Sequence, residues 1–143
     1  MITSIKQLEV SKGKVKLLKD SLKVKASSGL PKELVNATRG QISELISEIE
    51  AEIKEFELLQ STNLEKFHVR SFEDLMLTPI RIRLAQKMTV EEFAHQVGVH
   101  SRQIARYEAQ NYTNLNTLTL LKILEKLSAH IDGFVQIPQD SAR

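Results

Sequence analysis

The chain has 143 residues, enough for one domain or a small pair of subdomains. Its 20 Lys+Arg and 18 Asp+Glu leave a net charge of +2, so it is not basic throughout. The absence of Cys excludes a disulfide framework, a thiolate zinc site and a Cys nucleophile. No apolar run approaches the roughly 18 residues that a membrane span needs. The opening MITSIKQLEV places Lys and Glu where a signal peptide has its apolar stretch. A cytoplasmic protein without membrane contact is therefore expected. Five Gly, three Pro and no Trp predict long helices with an aliphatic core.

The small total charge hides a pattern. Residues 1–30 hold seven Lys against Glu9 and Asp20, residues 31–61 hold seven Glu against Lys32, Arg39 and Lys54, and residues 62–143 are nearly balanced. A basic segment followed by an acidic one predicts two helices that pair. The alternative for the Lys run is a nucleic-acid or membrane patch.

Ser11 reads as the N-cap of a helix from Lys12 to Ala26, with Val15, Leu18 and Leu22 on one stripe and Leu17 broadening it. Ser27-Ser28-Gly29 reads as a stop. Pro31 suits the first turn of a second helix running to Gln60. Ile42, Leu45, Ile49, Phe56 and Leu59 keep heptad spacing there, Ile46 and Ile53 widen the stripe, and Glu50 and Lys54 form an i,i+4 pair. A helix of this length, roughly 45 Å, carries more apolar surface than a 15-residue partner covers. Ile42, Leu45, Ile49, Ile53 and Phe56 are therefore expected to meet a further cover. That cover is the rest of the chain, a second copy or a different protein.

Ser71 caps a short helix, and Thr78-Pro79 caps and opens another through Ile80, Ile82, Leu84 and Ala85 to Lys87. Thr89-Val-Glu-Glu92 is a capping box, with Thr at the N-cap and Glu at N3. Gly98 ends the helix that follows, where positive φ is needed. His100 or Ser101 caps the next helix, over residues 101–108. Asn116 or Thr117 caps a last one through Leu118, Leu121, Leu124 and Leu127. Within residues 90–107, Ala94 is small enough for two helices to cross closely. Gly98 permits the tight turn, Val99 and Ile104 seat the second helix, and Phe93, Val97 and Tyr107 fill the apolar positions around them. This joint spacing is a helix-turn-helix pattern.

From about Pro79 to Leu127 the chain resembles the Xre family (Cro and lambda-repressor type). The resemblance rests on Met88-Thr-Val-Glu-Glu-Phe-Ala-His-Gln-Val-Gly-Val99, Ser101-Arg-Gln-Ile-Ala-Arg-Tyr-Glu108 and Leu118-Thr-Leu-Leu-Lys-Ile-Leu-Glu-Lys-Leu127. It departs from the family at Val90, where a Gln usually contacts the DNA backbone, and in a long loop from Ala109 to Asn116. The hairpin followed by a single helix-turn-helix also resembles HigA-like antitoxins.

The resemblance implies double-stranded DNA as partner. Helix 101–108 enters the major groove, and its exposed Ser101, Arg102, Gln103 and Arg106 are the base-reading candidates. Arg83, Lys87, Thr89, Asn111 and Thr113 are candidates for phosphate contacts. Tyr112 and Asn114 share that loop, Tyr112 equally as a packing residue. The resemblance also implies a homodimer on a palindromic operator and, for an antitoxin, a toxin protein as a further partner. A protein-interaction adaptor that keeps the fold without binding DNA is the competing class. His95 and His100 share no helical face, the Glu91/His95 pair is not a metal site, and the five Gly are scattered. No catalytic residue, metal or cofactor is expected.

The fold expected is all-α: a long helical hairpin over residues 1–62, then a five-helix lambda-repressor-like domain over 63–143. Ile131, Phe134, Val135 and Ile137 near the end read either as a short strand or arm that pairs with a twin, or as a last helical turn and a tail.

Overall fold

The computed structural model describes residues 1–24, 29–61 and 64–140. The chain is all-helical and divides into two compact units, Met1–Thr89 and Val90–Arg143.

In the first unit, α1 spans Ile5–Lys23 and α2 spans Lys32–Gln60. The start of α1 lies earlier than predicted. Ser4, not Ser11, is the N-cap, and its Oγ accepts the Gln7 N–H at 3.2 Å. Leu8 and Val15, seven residues apart, are both buried, and Ser11 fills a position of the same row. A polar residue inside an apolar row is what disguised Ser11 as a cap. Leu17 is not part of the stripe; it is 71% exposed. The predicted end at Ala26 and the stop at Ser27-Ser28 lie outside the described residues, while Gly29 has φ +106°. Pro31 is the N-cap of α2 rather than a residue of its first turn.

The two helices pair antiparallel, basic against acidic. Lys19 Nζ lies 2.7 Å from Glu50, and Lys12 Nζ lies 3.3 Å from Glu57. The partners step by seven residues in opposite directions, as antiparallel helices require. Glu50 therefore pairs across the hairpin with Lys19 rather than one turn on with Lys54. Both pairs are exposed, so each contributes at most about 1 kcal/mol. Burial of Leu8, Val15, Ile46, Phe56 and Leu59 holds the hairpin more strongly. At the C-terminal end of α1, the Arg39 guanidinium donates to the carbonyls of Leu22 and Val24 at 3.1 and 3.2 Å. It thereby satisfies two of the acceptors that a helix end leaves unpaired.

Two short helices, α3 (Phe72–Met76) and α4 (Thr78–Ala85), complete the first unit. Ser71 caps α3 as predicted, its Oγ accepting the Asp74 N–H at 3.1 Å. Thr78 is the first residue of α4, and Leu77 is its cap. Arg81 ties these pieces to α2. Its Nε donates to Glu55 at 2.7 Å, its Nη2 to Asp74 Oδ1 at 3.2 Å and its Nη1 to the Asp74 carbonyl at 3.3 Å, and the guanidinium lies 5.9 Å from the Phe67 ring centroid. The backbone N–H of Arg70 donates to Asp74 Oδ2 at 3.0 Å.

The Arg70 N–H, set against partial burial and helped by the Arg81 hydrogen bond and charge, holds the Asp74 carboxyl below the usual aspartate range. A depressed folded-state value means the unfolded chain takes up the proton first as pH falls. This contribution to stability is thus complete above the ordinary aspartate range and lost as pH drops through the folded value. Thermal melts of the wild type and Asp74→Asn across acidic pH are expected to differ at neutral pH and to converge at the acid end. Parallel curves would refute the assignment.

The second unit contains α5 (Val90–Val97), α6 (Ser101–Ala109) and α7 (Thr117–Lys126). Phe93, Ala94, Val97, Ile104, Leu120, Ile123, Leu124 and Leu127 form its core. Asn116 caps α7, its Oδ1 accepting the Leu118 N–H at 2.8 Å. Beyond α7, residues 129–140 take neither helix nor strand within the single chain. Phe134 and Val135 are 101% and 92% exposed, and alternation alone cannot make a strand without a neighbour to pair with.

Helices α4 to α7 end in one way. A residue just beyond the helix takes positive φ: Lys87 56°, Gly98 70°, Asn111 52° and Ser128 54°. In each case the next N–H reaches back five residues: Met88 to Arg83, Val99 to Ala94, Tyr112 to Tyr107 and Ala129 to Leu124, at 2.8–3.0 Å. This double closure satisfies carbonyls that would otherwise be orphaned. Only Gly98 announced it in the sequence, because glycine alone takes this conformation without a steric cost.

Candidate nucleic-acid interface

The geometry of α6 follows from its two neighbours. The closure at Gly98 turns the chain sharply after α5, and His100 then caps α6, its Nδ1 accepting the Arg102 N–H at 3.2 Å. Ile104 is fully enclosed, and Val99 and Tyr107 are half-buried beside it. This seats one face of α6 on α5. With 3.6 residues per turn, the opposite face must then point outward.

Arg102 and Arg106 lie on that outward face, four residues apart and both exposed. Ser101 and Gln103 are half-buried in the first turn. These four candidates share one short helix whose seat is apolar and whose outer surface is cationic. The guanidinium groups suit bidentate pairing with guanine, and Gln103 suits adenine.

Asn111 and Thr113 are exposed at the other end of the nine-residue α6. The loop is not loose. Tyr112 takes φ 57° and is 1% exposed, with its ring centroid 5.6 Å from that of Tyr107. Thr113 Oγ1 donates to the Gln110 carbonyl at 2.7 Å. Of its two readings, phosphate contact or packing, Tyr112 thus takes the second: it is a core residue.

Arg83, Lys87 and Thr89 belong to the first unit. Lys87 and Thr89 are exposed. Arg83 departs from the expectation of a phosphate contact: it is 6% exposed, and its guanidinium donates to the carbonyls of Met88 at 2.9 Å and Thr3 at 3.3 Å. A phosphate could reach it only by displacing those carbonyls, so its role is to clamp the α4 closure to the N-terminal segment. The signal was the position of Arg83 on α4, three residues after the buried Ile80.

Of the residues predicted for dimer or partner contact, Phe56 is 3% exposed and already enclosed within the first unit. Ile42, Leu45, Ile49 and Ile53 remain half-buried. Among the described residues no group of three or more His, Asp or Glu could hold a metal ion, and no helix is long and apolar enough to cross a membrane.

Residues 80–134 match a family model described as Helix-turn-helix. No curated protein and no solved structure gives a significant match to the chain. The matched segment holds the α5–turn–α6 seat and the cationic outer face of α6. The C-terminal part of this all-helical chain is therefore a helix-turn-helix domain, the regulatory fold of DNA-binding transcription regulators.

Proposed function

We propose that the protein is a sequence-specific transcriptional regulator that binds a palindromic operator as a homodimer, with α6 in the major groove. The observation that carries this reading is the outward face of α6, where Arg102 and Arg106 stand exposed above a seat closed by Ile104. A homodimer follows from size. One short helix makes too few base contacts for tight binding, and two helices about 34 Å apart read both halves of a palindrome. Within this class, the hairpin followed by a single helix-turn-helix supports an antitoxin-like autorepressor, with a toxin protein as its second partner.

Selection of bound duplexes from a random pool tests the DNA reading. It is expected to enrich an inverted repeat, with binding that weakens only gently as salt rises, because few phosphate-contacting cations are exposed. Failure to enrich any sequence would overturn the reading in favour of the adaptor class. For the antitoxin role, co-expression with the product of a neighbouring small reading frame is expected to recover a stable complex that relieves toxicity.

A further inference from the structure

The hairpin is amphipathic as a whole, in addition to each helix being so. Lys12, Lys19, Glu50 and Glu57 mark one broad face, because their ion pairs bridge α1 and α2 there. By helical spacing, Leu18 and Leu22 of α1 lie toward the other broad face, with Leu34, Ile42, Leu45 and Ile49 of α2. Toward the C-terminal end of α2, where α4 packs, that row is closed: Phe56 and Leu59 are 3% and 2% exposed, and Gln60 Nε2 donates to the Leu84 carbonyl at 2.6 Å. Farther from α4 the row opens. Leu34 is 54% exposed, and the other five residues are only half-buried. A contiguous aliphatic patch of this kind is uncommon on a surface that stays in water.

We infer that two copies pair through this open face of the hairpin, each α1 lying over the other copy's α2, to form a four-helix bundle. This rests on the homodimer reading above and specifies its surface. Charge selects the arrangement. Within Ile5–Lys23, six Lys stand against Glu9 and Asp20, a net of +4. Within Lys32–Gln60, Lys32, Arg39 and Lys54 stand against seven Glu, a net of −4. Placing α1 over the other copy's α2 sets basic rim against acidic rim, whereas placing like over like opposes equal charges. The arrangement is isologous, so it closes as a two-fold dimer, and all neighbouring helices run antiparallel as in an up-down bundle.

Sedimentation of the full chain and of Leu45→Lys tests the surface. The wild type is expected to run as a dimer, and the variant to raise the dimer dissociation constant at least about tenfold with unchanged helical content. A wild type that is monomeric throughout would remove the homodimer reading itself. A dimer that survives Leu45→Lys but is lost in Phe134→Ser would keep the dimer and overturn this surface in favour of the tail. A second experiment does not depend on how Leu45→Lys folds. The chain has no Cys, so Ser21→Cys and Glu48→Cys each introduce a single thiol. Both positions are exposed, and 21 with 48 continues the antiparallel register of 12 with 57 and 19 with 50. A short bismaleimide is expected to join the two variants when mixed and to leave each alone uncrosslinked. Efficient self-crosslinking of either variant, with no mixed product, would overturn the arrangement.

Discussion

Phe93→Ala is expected to unfold the second unit. Phe93 is fully enclosed at the centre of α5, and Ala94, Val97 and Ile104 are buried in the same unit. Truncating a buried phenylalanine costs about 3–5 kcal/mol, from lost transfer free energy and from the cavity left behind. Whole domains are stable by only about 5–15 kcal/mol, and small ones lie at the low end. A urea titration followed by far-UV circular dichroism should show the midpoint collapse or the transition lose its cooperativity. DNA binding should then fall on all sequences alike, since the seat of α6 is gone. A variant that melts like the wild type would show that Phe93 is not the keystone its burial implies.

Arg102→Ala is expected to act in the opposite way, on recognition without stability. Arg102 is exposed, and its backbone N–H donates to His100 Nδ1. Its side chain is free of the core, so the melting curve should stay unchanged. Losing one bidentate base contact costs roughly 1–3 kcal/mol of discrimination, which is about 5- to 150-fold at one base pair. Competition binding with operators altered one position at a time checks this. Preference should flatten at a single position in each half-site, while binding to random duplex persists. An equal loss on every sequence would instead make Arg102 a phosphate contact. Together the two variants separate the scaffold of the helix-turn-helix from its readout.

How much was legible beforehand depended on whether the signal was local. The turn between α5 and α6 was readable because Gly98 supplies a conformation that other residues reach only under strain. The closures at Lys87, Asn111 and Ser128 use the same geometry with residues that do not advertise it. The surrounding packing supplies what the residue type does not. Caps behaved similarly. Ser71 and Asn116 sit beside clean apolar rows, whereas Ser11 lay inside one and drew the start of α1 away from Ser4.

The sequence by itself determined the helical class, the hairpin, the helix-turn-helix and the outward face of α6. Each depends on periodicity, and a helix turns its residues by a fixed angle whatever its surroundings. Only the tertiary structure decided which of two similar side chains faces water. Arg83 and Arg106 are both arginines near the motif, yet one is clamped onto carbonyls and the other stands exposed. Tyr112, in a loop, is core, and Phe134, in an apolar run, is bare. Burial depends on what another part of the chain brings to the same place, and neighbours in sequence do not carry that information.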